Sequence, residues 1–562
     1  MSRLILPSPV ISRRAALLGG AAGLAACASG PTTDSVGAGP PVVETSAGKV
    51  EGLVEGGVRV FKGIPYGAST AGAGRFRAPR PPSPWAGVKQ TIAYGPPTPQ
   101  GRPPGLAPPP PPPAPGAPRP LINNNPTGAQ SEDCLVLNVW TKSLVGRKPV
   151  MFWIHGGGFT TGSGSSAWYD GVNLATRQDV VVVTINHRLN VFGYLYLDDI
   201  SNGAYRDSAT VGMLDIVLAL QWVKDNIASF GGDPNRVFIF GESGGGRKVS
   251  TVLALTPAQG LYHRAAIHSG SQLRLDSKAV ANERTQKLLR ELDIRENELH
   301  RLETIPMERL QVAALAAQVG TGQFRPVAGT PMIPAHPFDP GAPAMSADVP
   351  IIVGSNRTEA SVFLGGDPRI EQITEADMQA RVQALTPAGQ GPDTVAMYRR
   401  IYPQANRAEV LYMASTDRGY FLDTTILAER KAAAGRAAAY VYQFYRNTPV
   451  EGGRYHTPHA SEIPFVFDTL RYAESIGGAP TPAAQALADK MSASWAKFAR
   501  DGDPNGMGLA SWPKYNGTQR PTLVWDEAPV GPHVENDPRS EQRKRMLSYG
   551  SQQYGERETG PT

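Results

Sequence analysis

The chain has 562 residues, 41% hydrophobic and 19% charged, which describes a globular protein with an ample core whose length fits several domains or one long α/β domain. Its 61 glycines and 52 prolines imply many loops. The formal charge of +6 is scattered, with no basic run denser than Arg543-Lys544-Arg545, which argues against a nucleic-acid partner, and no apolar stretch after residue 30 is long enough to span a bilayer.

At the N-terminus, Ser12-Arg13-Arg14-Ala15-Ala16-Leu17-Leu18 is a twin-arginine pattern leading into a short run of Leu, Gly and Ala. Residues 1–26 therefore read as a cleaved export signal. The signal ends Leu24-Ala25-Ala26-Cys27, which resembles a bacterial lipobox. The expectation is an exported protein, periplasmic or anchored to the outer membrane by lipid on Cys27, the one membrane attachment foreseen. The plainer reading is a signal peptide with a chance cysteine. Removing residues 1–26 deletes Arg3, Arg13 and Arg14 and no acid, so +6 falls by three to +3. If Cys27 carries lipid, Cys134, the other of the two cysteines, has no partner for a disulfide.

Residues 27–41 are small and polar and read as a flexible tether, followed by a catalytic domain over 42–545. Val42–Thr45 and Gly48–Gly52 read as a β-hairpin and Val58–Phe61 as a third strand. Residues 101–130 collapse into low complexity centred on Pro108–Pro113, a stiff polyproline segment best read as a tolerated surface insertion. Leu135–Trp140, Val150–Ile154 and Val180–Asn186 are near-continuous apolar runs, as expected of strands buried on both faces. Asp215–Phe230 predicts an amphipathic helix, stopped by Gly231-Gly232-Asp233-Pro234. Val237–Phe240 predicts a strand and Lys248–Leu255 a helix, and further strands are expected at 265–268, 350–353, 439–444 and 522–525. Residues 546–562 read as a disordered tail. Alternation of strands and helices implies an α/β fold with a mainly parallel, doubly wound central sheet, helices on both faces and large loop insertions.

Between strand and helix stands Gly241-Glu242-Ser243-Gly244-Gly245. In G-x-S-x-G the chain turns so sharply that the flanking positions need to be small, and the serine is held up at a helix N-terminus where N–H groups can stabilise an anion. By itself the pattern is weak, since serine in a glycine turn is common. A nucleophilic serine needs oxyanion donors, an acid and a base. His155-Gly156-Gly157-Gly158-Phe159, directly after a strand, supplies donors from Gly157 and Gly158, with Gly244 after the nucleophile as the third. No Gly-Lys-Ser/Thr ending follows that would make it a phosphate loop. Glu359 stands just beyond a buried strand, a placement suited to the triad acid, although singly it would read as a surface glutamate. Among nine histidines, His459 comes late in the chain, as the order serine–acid–histidine requires, with His456 its nearest rival. His155 reads as a supporting or structural residue of the donor loop, and Glu242 as either part of the site's field or structural. No spacing suits a metal, and no cofactor is expected.

These segments together resemble the type-B carboxylesterases, the α/β-hydrolases that include cholinesterases and bacterial para-nitrobenzyl esterases. The resemblance is carried by Phe61–Tyr66, Ser131–Val139, His155–Phe159, Asn186–Leu189, Phe192–Leu195, Phe230–Pro234, the elbow, the Glu359 and His459 segments and the tail motifs Trp495–Arg500 and Trp512–Tyr515, over about residues 42 to 530. It implies Glu359 as triad acid and His459, three residues before Glu462-Ile463-Pro464, as base, demoting His456. It implies hydrolysis of a small-molecule carboxylic ester through an acyl-enzyme on Ser243, by a monomer or small homo-oligomer. Acyl transfer or thioester hydrolysis on the same residues, or a non-catalytic cholinesterase-like binding protein, are the other readings.

Three positions depart from the family pattern. Gly244 replaces the usual alanine, which predicts a looser turn. Thr98 replaces the cysteine that many relatives pair with the one matching Cys134, so that disulfide is expected to be lost. Arg247 and Lys248 replace small residues, and the sequence offers no physical account of them. Phe159, Trp168, Phe363, Tyr420 and Phe421 are candidates for the pocket wall, with core packing as the plainer role.

Overall fold

The structure, a computed structural model, describes residues 39–101, 121–122, 128–506, 508–509 and 511–554. The export signal, Cys27, most of the tether and most of the proline-rich insertion lie outside the described residues. Among the described residues fourteen strands are formed: β1 (42–45), β2 (48–51), β3 (53–55), β4 (58–65), β5 (88–90), β6 (136–141), β7 (148–154), β8 (181–185), β9 (232–242), β10 (264–268), β11 (351–356), β12 (439–444), β13 (521–525) and β14 (533–536). β1, β2 and β5 make a small separate sheet, and the other eleven run in the order β14-β13-β12-β11-β10-β9-β7-β8-β6-β4-β3. Six of the ten pairings in the large sheet are parallel, from β8 through β13, and the four at its two ends are antiparallel. The sheet is therefore mixed, with a parallel centre.

Side chains alternate across a strand, and the centre of the sheet is covered on both faces. Val150, Phe152 and Ile154 of β7 enter one core with Val181, Val183 and Ile239. Met151 and Trp153 enter the opposite core with Val182, Phe238, Phe240 and Tyr442. That is why these strands read as unbroken apolar runs rather than as alternating ones.

Several boundaries differ from the sequence reading. The helix expected over 215–230 spans Val211–Asn226 and tightens to a 3₁₀ turn at Ile227–Phe230. Gly232-Asp233-Pro234, read as a turn, already pairs as the start of β9, with an irregularity where Lys148 meets Gly232. The helix after the serine begins at Gly244, not Lys248, and ends at Val252. The expected disordered tail is corrected for its first part: Ser540–Tyr549 is helical and Gln553 is buried, its amide bonded to Ser271 O at 2.9 Å and Asp423 Oδ2 at 2.7 Å. Residues 555–562 lie outside the described residues.

Candidate active site

Four parallel strands of the sheet's centre, β7, β9, β11 and β12, deliver the candidate residues to one edge of the sheet, the carboxyl edge where open α/β sheets bind ligands. β7 ends at Ile154 and leads into His155–Gly158; β9 ends at Glu242; β11 ends at Asn356, three residues before Glu359; β12 ends at Phe444, opposite Asn356 in the register. His459 follows β12 on a loop.

Ser243 is the cap of the helix Gly244–Val252 and has φ 57° and ψ −123°, a conformation sparsely populated for any residue with a side chain. Its strain is held by the neighbours: Ser243 N–H donates to His268 O at 2.9 Å, and Ser243 O accepts from Arg247 N–H at 2.9 Å. Ser243 is partly exposed while Glu242 and Gly244 on either side are buried.

The glycine loop packs directly on this turn. Gly157 and Gly158 have φ of +86° and +61°, which favours glycine, and their N–H groups donate to no acceptor among the described residues. A methyl group on Gly244 would lie 2.5 Å from Gly158 Cα, with the Gly158 nitrogen and oxygen closer still. The looser turn expected from glycine at 244 is thus corrected: the missing methyl lets the donor loop come closer. The Gly158 and Gly244 backbones thus lie against each other next to Ser243.

Glu359 and His459 meet. His459 Nδ1 is 2.6 Å from Glu359 Oε2, and the second carboxylate oxygen of Glu359 accepts from Asn356 N–H at 2.6 Å. His459 N–H also bonds to Glu359 O at 3.3 Å. His459 Nε2 faces Glu242 Oε1 at 3.0 Å without hydrogen-bonding alignment. His456, the rival base, is engaged elsewhere, 2.8 Å from Glu409 and lining a cavity of about 370 Å³ with Arg357 and Tyr402.

Behind the imidazole lies a network that the sequence reading did not foresee. Asn356 Nδ2 donates to Pro458 O at 2.9 Å and to Glu462 Oε2 at 2.7 Å, fastening the histidine loop to the end of β11. His268 Nε2 accepts from Trp495 Nε1 at 2.8 Å, and burial drags the imidazole down to about 3, so it is neutral. Three buried carboxyls, Glu242, Glu359 and Glu462, share this region. Burial and the charge of Glu359 push Glu242 well above the ordinary carboxylate value, and burial with the charges of Glu242 and Glu359 pushes Glu462 up to about 8. Like charges in a dry site cannot all ionise, and the donors converge on Glu359. Asn356 and Glu462 sit inside motifs the sequence displayed, but nothing local says that they touch.

His155 is buried and stacks on His187, with ring centroids 4.7 Å apart. Burial, then the nearby Lys248 charge, lowers it to about 3. Lys248 is itself wholly buried, donates to His155 O at 3.1 Å and lies 5.8 Å from the Phe159 ring centroid. Burial brings its ammonium down to about 7. Of the aromatic candidates, Phe363 and Tyr420 flank His459, each ring 5.2 Å from the imidazole. Phe159 packs edge-on against Tyr194, Trp168 donates to Tyr472 O, and Phe421 lies under Arg539. Cys134 is a free, buried thiol, pushed up to about 12 by burial, and Thr98 Oγ1 sits 3.0 Å from its sulfur.

Comparison with known proteins agrees over nearly the whole domain. The model of the Carboxylesterase family matches residues 39–545. A para-nitrobenzyl esterase of Bacillus subtilis is 32% identical over 516 residues, covering 90% of this chain and 98% of that one. A liver carboxylesterase of Sus scrofa is 33% identical over 88% of this chain and 91% of its own. A crystal structure of a Geobacillus stearothermophilus carboxylesterase superposes with a TM-score of 0.77 at 36% identity, covering 90% of this chain and 99% of that one.

Proposed function

The chain belongs to the carboxylesterase family and is a carboxylic ester hydrolase of the α/β-hydrolase fold, and we propose that it works through an acyl-enzyme on Ser243. In this reading His459 is the base, Glu359 orients it, and Gly157, Gly158 and Gly244 donate to the oxyanion. The observation that carries it is the 2.6 Å contact between His459 Nδ1 and Glu359 Oε2, at the sheet edge that also presents the strained Ser243 and the glycine loop.

Glu359 keeps the proton on Nδ1, which leaves Nε2 free to accept. The Ser243 hydroxyl loses its proton to Nε2 as its oxygen adds to the ester carbonyl. The carbonyl oxygen becomes an alkoxide held by the three backbone N–H groups, worth about 10² to 10³ in rate for each donor. The imidazolium then protonates the leaving alcohol, and water attacks the acyl-enzyme by the same route. Phe363 and Tyr420, each 5.2 Å from the imidazole, supply apolar walls for the ester.

The test is Ser243→Ala, expected to lower kcat on a chromogenic ester by about 10⁶. It is paired with covalent labelling of Ser243 by a fluorophosphonate. Near-normal turnover in the variant would remove Ser243 as nucleophile, and failure to label an active protein would do the same. A folded protein without either activity or labelling would be a binding protein. Product analysis with competing alcohols separates hydrolysis from acyl transfer.

The twin-arginine segment and Leu24-Ala25-Ala26-Cys27 support a second part of the reading: export and acylation of Cys27. Incorporation of labelled fatty acid into the full chain, lost in Cys27→Ser, is the expected result.

A further inference from the structure

One turn beyond the nucleophile stands a cation that the mechanism does not use. Arg247 lies one helical turn beyond Ser243, its N–H bonded to Ser243 O at 2.9 Å, in the first turn of the helix that the nucleophile caps. Its side chain is partly exposed and makes no ion pair or side-chain hydrogen bond among the described residues. Its charge is nonetheless felt at Tyr420, Asp423 and Arg325. Tyr420 is the aromatic wall beside His459, and Arg325 stands two residues after Gln323, whose amide oxygen would meet a methyl group on Gly158 at 2.9 Å. Arg247 thus lies within electrostatic reach of the aromatic ring beside the base and of the segment that borders the glycine loop.

No carboxylate among the described residues forms an ion pair with it. Asp276 is shared by Arg284, at 2.9 Å, and Arg325. Asp423 is buried and takes a hydrogen bond from Gln553 at 2.7 Å. A partly exposed guanidinium with unpaired donors, one helical turn from the nucleophile, is suited to bidentate recognition of a carboxylate.

We propose that Arg247 is a specificity-determining residue that binds a carboxylate on the substrate, so that the preferred esters are half-esters of dicarboxylic acids or esters of carboxylate-bearing alcohols. The inference rests on Ser243 being the nucleophile, and hydrolysis of a neutral ester reports on that reading separately.

The experiment compares matched esters that differ by one negative charge. On the acyl side, mono-4-nitrophenyl glutarate is set against 4-nitrophenyl pentanoate. On the alcohol side, 4-acetoxybenzoate is set against its methyl ester. The quantity read is the ratio of kcat/KM for the anionic ester to that for its neutral partner. The wild type is expected to favour the anion in at least one pair, and the preference to fall as salt is raised. Arg247→Met is expected to reduce that ratio by about tenfold or more through KM, with Arg247→Lys keeping part of it. A wild-type ratio at or below one in both pairs overturns the proposal without any variant. So does a ratio unchanged in Arg247→Met. Loss of activity on the neutral esters in the wild type would instead count against the Ser243 reading.

Discussion

Glu242 Oε1 and His459 Nε2 lie 3.0 Å apart, while Glu359 holds the other ring nitrogen at 2.6 Å. The imidazole is therefore placed between two carboxyls. Burial and the charge of Glu359 push Glu242 well above the ordinary carboxylate value. Glu359→Gln is expected to lower kcat by about 10³ to 10⁴, by stabilising the wrong imidazole tautomer. Glu242→Gln, at the carboxyl that burial disfavours as an anion, is expected to stay within about tenfold of wild type. Steady-state kinetics of the two variants at neutral pH decide it; equal losses would mean that the charge sits on both residues.

The close approach of Gly158 to Gly244 makes a second prediction. Gly244→Ala restores the residue usual in the family, yet the new methyl would meet Gly158 backbone at 2.5 Å or less. Backbone cannot swing away as a side chain can, so the donor loop must move. We expect kcat to fall by about 10² or more, as for the loss of an oxyanion donor, and stability by about 1–3 kcal/mol. Wild-type turnover in Gly244→Ala would show that the loop yields without moving its N–H groups.

What was legible in the sequence follows from which forces act locally. Val150–Ile154 and Ala439–Phe444 declared themselves because both faces are buried, so composition alone marks them. β14, His533–Asn536, did not: it is a short, half-covered edge strand whose existence depends on pairing with β13. The sequence pattern starts the elbow helix four residues late, because glycines at 244–246 are poor helix formers. Tight packing against Ile154 and His268 at those positions overrides propensity. The meeting of Glu359 and His459 could be anticipated from chain order and motif. The contacts of Asn356 with Glu462, and of Trp495 with His268, could not, since they join residues 106 and 227 apart. Phe363 and Tyr420 could not be told from Phe159, Trp168 and Phe421 because all are aromatic, and only the fold decides which of them meet the imidazole.

Lys248 offers a pH test of stability. Its ammonium is wholly buried with one backbone acceptor, and burial lowers it from 10.5 to about 7. Between about pH 7 and 10.5 the unfolded chain holds a proton that the folded one has lost, so wild-type stability rises with pH across that window. Below about 7 both states hold it, and the full cost is present. Lys248→Met removes the titration. Its stability relative to wild type is expected to be most favourable at pH 6 and to decline by up to about 1.4 kcal/mol per unit through the window. Urea unfolding at pH 6, 8 and 9.5 measures the slope, and a pH-independent difference would mean that Lys248 titrates normally.

Thr98 stands where its hydroxyl reaches both the Cys134 sulfur, at 3.0 Å, and the His187 carbonyl, at 2.7 Å. It fills the place of a half-cystine with a hydrogen bond, and the backbone around it already brings the two side chains into contact. Thr98→Cys is therefore expected to form a disulfide with Cys134 during oxidative folding, closing a loop across a separation of 36 residues. On the chain-entropy argument this stabilises by up to about 3–4 kcal/mol, less the lost bond to the His187 carbonyl, which is worth about 1 kcal/mol. Peptide mapping should show positions 98 and 134 linked, and the variant should melt higher without reductant than with it. Two free thiols at these positions after oxidative folding would mean that the local backbone has relaxed away from disulfide geometry since the cysteine was replaced.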